Sequence, residues 1–228
     1  MSFKQFIKEL GGERVEGELV KTVFYSLLTS FITLGILYFV KLKSIENFIP
    51  KYGLYIFLVS LSYAILTPAI RQVRVYGECA CMPGMMIGMT TGMIAGFLPG
   101  FYVGATNGIF IGSVFGMIVG IGAGTWAGKK CCGVMGVMEG IMAGFMGGLM
   151  GAMTVLMTLN DHLKAMAFIV LGICAVIAIS LNYMIYKELK ETETKKKEDH
   201  FFTIALTFLL ITITIWLMVF GPKSGLFG

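Results

Sequence analysis

Sulfur is the chemically distinctive element of this chain. Four of the five cysteines come as two pairs, Cys79-x-Cys81 and Cys131-Cys132, beside the basic residues Arg74 and Lys129/Lys130. Nearby positive charge favours the thiolate, which is the form that binds metal. Between residues 82 and 157 there are 13 methionines and three leucines, whereas the rest of the chain has four methionines and 21 leucines. Met has locally replaced Leu, a substitution that adds a polarizable thioether at little change in hydrophobicity. Thiolate and thioether together are soft ligands that select Cu(I) or a comparable ion, with Zn(II) or an iron–sulfur cluster as competitors. Glu139 is the single carboxylate between Cys131 and Asn160, and a carboxylate inside an apolar run is a candidate for balancing a cation or carrying a proton. The fifth cysteine, Cys174, stands alone and reads as a small apolar core residue.

The elements that hold these residues are set by the gaps between charges. Of 228 residues 57% are apolar and 14% charged, against about 25% charged in an average soluble domain. A helical crossing of a bilayer needs about 20 apolar residues. Such runs recur, and they predict an all-α, polytopic membrane protein of about seven spans near 22–40, 52–72, 82–104, 107–128, 133–158, 164–186 and 201–221. The apolar run from Cys79 to Gly128 is too long for one crossing, and we divide it around Pro99-Gly100 and Asn107. Residues 1–21 read as a lead-in with an amphipathic pattern (Phe3, Phe6, Ile7, Leu10), and 187–200 as a charged loop. No cleavable signal-peptide pattern precedes the first span. Thirteen of the eighteen lysines and arginines fall on one side of this topology, which predicts a cell-membrane protein with a cytoplasmic N-terminus and both cysteine pairs on the cytoplasmic side.

Spans three to five carry a strict period. Gly84, Gly88, Gly92, Gly96, Gly100, Gly104, Gly108, Gly112, Gly116, Gly120, Gly124 and Gly128 are four apart, and the register resumes at Gly136, Gly140, Gly144 and Gly148 after one break at Cys132. Removing Cβ along one side of a helix lets two backbones approach closely, so a glycine-zipper core is expected there. The methionines keep a register of their own. Met82, Met85, Met86, Met89 and Met93 share one arc of span three, and Met135, Met138, Met142 and Met146 share an arc of span five opposite its glycines, with Glu139 inside that arc.

Met85, Met89 and Met93, taken with the glycine register, resemble the Met-x-x-x-Met and Gly-x-x-x-Gly features of eukaryotic-type copper transporters. That resemblance implies a thioether ladder along a permeation path; the span count and the cysteine placement depart from that family. Cys79, Cys81, Cys131 and Cys132 would then form a cluster at the cytoplasmic mouth, and Cu(I) or another soft metal would be the ligand. Two other readings stand beside this one. The chain is a non-catalytic glycine-packed scaffold or assembly subunit, or it is a membrane thiol-redox protein, which the lack of a Cys-x-x-Cys disfavours. No phosphate-binding loop, dinucleotide fingerprint or zinc-protease motif is present, so no enzyme activity is expected. Partners reduce to the bilayer, a metal ion and further copies of the chain; the net charge of +5 follows from the orientation signal and implies no nucleic acid.

Overall fold

Seven helices make up the structure, a computed structural model that describes residues 17–40, 52–76, 81–158, 162–189 and 200–222. They are α1 (Gly17–Val40), α2 (Leu54–Tyr76), α3 (Cys81–Asn107), α4 (Ile109–Lys130), α5 (Gly133–Thr158), α6 (Leu163–Leu189) and α7 (His200–Phe220). Six contain stretches long and apolar enough to cross a membrane, and α7 contributes a shorter apolar stretch, Ile204–Phe220. The chain is thus an all-helical polytopic membrane protein. Helix α1 starts at Gly17, inside the segment expected to be a lead-in; the rest of that segment and most of the 187–200 loop lie outside the described residues.

Helix α4 joins α5 without a break in helical assignment from Ile109 to Thr158. A straight helix of that length would run about 75 Å. Instead the backbone of Gly140 lies against that of Gly124, and that of Gly136 against Gly128, so α5 folds back on α4. The reversal falls at Gly133, which has φ +61°, a conformation that a Cβ disfavours. Between α3 and α4 the break is at Gly108, with φ +107°. The expected boundary between 104 and 107 moves on by about three residues, to Gly108, and Pro99-Gly100 lies inside α3. Prolines are tolerated in membrane helices where neighbouring helices shield the disturbed backbone, and Pro99 is buried.

Helix α2 touches α1, α3, α6 and α7. The main core cluster gathers side chains such as Leu58, Val59, Phe101, Tyr102, Ile211 and Met218 from α2, α3 and α7. Polar pairs pin these helices together, with Tyr63 and Thr214 hydroxyls 2.7 Å apart, the Ser62 hydroxyl donating to Tyr102 at 3.3 Å, and Asn107 Nδ2 donating to the Leu217 carbonyl at 2.7 Å. Near the Lys129/Lys130 turn a second cluster joins Ala69, Val73, Ile87, Ala127, Leu181 and Ile185, and Arg71 bonds the Thr22 hydroxyl of α1.

Candidate functional site: a methionine surface on a glycine core

The glycine register resolves into layers. Gly88 meets Gly128 and Gly136; one turn on, Gly92 meets Gly124 and Gly140; then Gly96 meets Gly120 and Gly144, and Gly100 meets Gly116 and Gly148. A fifth layer joins Gly104 to Gly112 and Ala152. Each layer takes one residue from each of α3, α4 and α5. Their spacing is about 6 Å, the rise of four helical residues. The axes are so close that a Cβ placed on Gly96 would stand 2.8 Å from the Gly144 carbonyl oxygen, and one on Gly120 2.7 Å from the Gly96 Cα. Backbone is thus packed on backbone, with Cα–H and carbonyl groups as the contacting surfaces. A four-residue period is longer than 3.6, so contact held through five layers requires the helices to wind about one another in the right-handed sense. Two further glycines of α5, Gly147 and Gly151, lie against the backbone at Met93 and Phe97 of α3.

With glycine inside, the opposite arcs face outward. Met82, Met86, Met89 and Met93 of α3 and Met135, Met138, Met142, Met146, Met150, Met153 and Met157 of α5 are all exposed, from 37% at Met93 to 78% at Met82; Met85 is half-buried. The expectation that sulfur from spans three and five converges on an interior of the chain therefore changes. Helices α3 and α5 run parallel, since Gly88 pairs with Gly136 and Gly100 with Gly148, so the two methionine arcs are neighbours on the outer surface. Any path that they line runs along the outside of one chain. Glu139 stands half-buried among them, and no ion pair to it forms among the described residues.

This surface differs in kind from the other exposed ones. Helix α1 shows Phe24, Ile32 and Ile36, α6 shows Phe168, Ile173 and Val176, and α7 shows Phe208, Leu209 and Ile213. Among the described residues, none of the large apolar side chains exposed on α1, α2, α4, α6 or α7 is a methionine. At the border of the patch a groove of about 350 Å³ between α3, α5 and α6 is lined by four sulfur-bearing residues, Met93, Met150, Met166 and Cys174, together with Thr90 and Thr154. Cys174 is buried, as its isolation in the sequence implied, yet it borders this groove. The four sulfur-bearing residues are not at one level. Met166 and Cys174 are eight residues apart on α6, about 12 Å along its axis, whereas Met150 stands between Gly147 and Gly151, whose positions meet Met93 and Phe97 of α3.

The proposed thiolate cluster falls largely outside the described residues: Cys79 is not described, and for Cys81, Cys131 and Cys132 only the helical backbone is. Among the described residues no three His, Cys, Asp or Glu side chains gather into a metal-holding group. Compared with known protein families, with curated proteins and with solved structures, the chain finds no match in any of the three.

Proposed function

We propose that the protein is a non-catalytic membrane assembly subunit, a rigid glycine-zipper block that associates with further copies of itself through the methionine face of α3 and α5. One observation carries this reading: among the described residues, exposed methionine is confined to that face, while the large apolar side chains exposed on the other helices are Phe, Ile, Leu, Val, Tyr and Trp. Lipid tails make no distinction that would sort thioethers from branched aliphatics within one molecule. A protein partner does, because an unbranched, polarizable side chain adapts to an irregular facing surface. The glycine ridges are consumed inside the chain, which leaves the methionine face as the distinctive surface for assembly. The excess of Lys and Arg near the Lys129/Lys130 end supports an orientation in the cell membrane with that end and the N-terminus cytoplasmic.

The test is a cross-link between copies. In a variant lacking all five cysteines, Met142→Cys is oxidised in native membranes, with Phe208→Cys on α7 as the control. A disulfide-linked dimer at position 142 and none at 208 supports the reading; no dimer, or equal dimer at both, refutes it.

A second reading is favoured by the sulfur groove. Met93, Met150, Met166 and Cys174 present soft donors at staggered heights, in continuity with the methionine arcs, so that Cu(I) or another soft ion would be passed along the seam between two copies and not held at one point. Equilibrium dialysis with Ag(I) as the probe separates the readings. Retention that survives removal of the paired cysteines and is lost with Met93→Leu, Met150→Leu and Cys174→Ser supports ion handling. No retention leaves the assembly role alone.

A further inference from the structure

Several buried polar atoms of the described residues have no hydrogen-bond partner, and those of three neighbouring helices share one level of the bundle. Gln72 of α2 is 1% exposed, and both its side-chain oxygen and nitrogen lack a hydrogen bond. Thr91 of α3 is fully buried and its hydroxyl has none. On α6 the Asn182 carbonyl oxygen is buried and equally unpartnered.

Three pieces of geometry place these residues at the same height. Helices α2 and α3 are antiparallel, with Ser62 bonded to Tyr102 and Leu66 beside Leu98. Ten residues onward from Ser62 is Gln72, and eleven residues back from Tyr102 is Thr91, so the two differ by about one helical rise. On α6, Asn182 follows Leu181, which shares a cluster with Val73 of α2 and Ile87 of α3, one residue from Gln72 and one turn from Thr91 respectively. All three helices touch one another pairwise.

An unsatisfied amide or hydroxyl in an apolar interior costs several kcal/mol in a medium that cannot hydrogen-bond, and lipid supplies no remedy. Four orphaned atoms on three neighbouring helices at one height therefore call for a shared partner. The donor set defines it. Gln72 Oε1 and Asn182 Oδ1 only accept, whereas Gln72 Nε2 only donates, and Thr91 Oγ1 does both. A bare cation would satisfy the oxygens and be repelled by the amide NH₂; an anion would do the reverse. Water donates and accepts. We infer that Gln72, Thr91 and Asn182 hold an internal water cluster where α2, α3 and α6 meet, and so form a hydrated site within the apolar bundle. Glu139 stands at the same height on α5, because Gly140 opposes Gly92.

The sign of a stability change tests this. In detergent-purified full-length protein, Gln72→Leu, Thr91→Val and Asn182→Leu should each lower Tm by about 2–4 °C, since each leaves the cluster short of a partner, while the triple variant should melt above any of the singles. A dry site predicts the opposite for the most telling single, because Gln72→Leu then removes two orphaned atoms at no loss; a Tm that is raised or unchanged overturns the inference. If Gln72→Leu fails to accumulate, hydroxyl-radical footprinting by X-ray radiolysis on the unaltered protein decides instead. Oxidation of the buried Ile87 and Leu181 beside the cluster is expected, and their protection overturns it.

Discussion

A single methyl group is the smallest probe of the glycine layers. Gly96→Ala and Gly120→Ala each place Cβ where backbone of a second helix already stands, and such overpacking typically costs about 1–3 kcal/mol; thermal unfolding in detergent should show a matching drop in Tm. Gly122 lies on the same helix as Gly120 with nothing within 4 Å of a Cβ, so Gly122→Ala should be neutral or slightly stabilising by the same measurement. Gly133→Ala tests a different term, since its positive φ penalises any Cβ by about 1–2 kcal/mol even though the space around it is open. The glycine period was legible in the sequence because the absence of Cβ is a property of the residue itself. Gln72, Thr91 and Asn182 were not: they stand on three different helices with no spacing that links them in the sequence, and only the packing registers bring them to one height.

Between elements, the sequence also carried the opposition of glycine and methionine arcs on α5, as helical angle alone sets it. It could not tell which arc is inside. In water, polarity marks the outward face of a helix; in lipid both faces are apolar and that signal vanishes. The answer comes from contact distance, because three glycine ridges that interlock with one another leave no room for sulfur between them. The break between α3 and α4 falls at Gly108, within a turn of the expected boundary, since Asn107 and the glycine after it mark a helix end in the sequence. Polar contacts between helices supply a further test. Tyr63→Phe removes the bond that joins α2 to α7 through Thr214, and bonds of this type in membrane proteins average about 0.6 kcal/mol, up to about 1.7. Steric trapping in bicelles should report a loss in that range, with the helical content retained.

For the molecule as a whole, two kinds of outer surface call for two kinds of neighbour. The aliphatic and aromatic faces of α1, α6 and α7 suit acyl chains, and under the proposed assembly the methionine face of α3 and α5 packs on another copy. Under the second proposed reading the same face would handle a soft metal only when assembled: dispersing the protein to monomers should then abolish Ag(I) retention at the methionines while leaving that of the paired cysteines.

Photolabelling with a diazirine-bearing phospholipid in native membranes separates the two surfaces without any substitution. Adducts are expected at Val176, Phe208 and Ile213, with Met142, Met146 and Met150 protected by the neighbouring copy. Labelling of those methionines as heavy as that of the α6 and α7 residues would show that they face lipid, and would contradict assembly through this face.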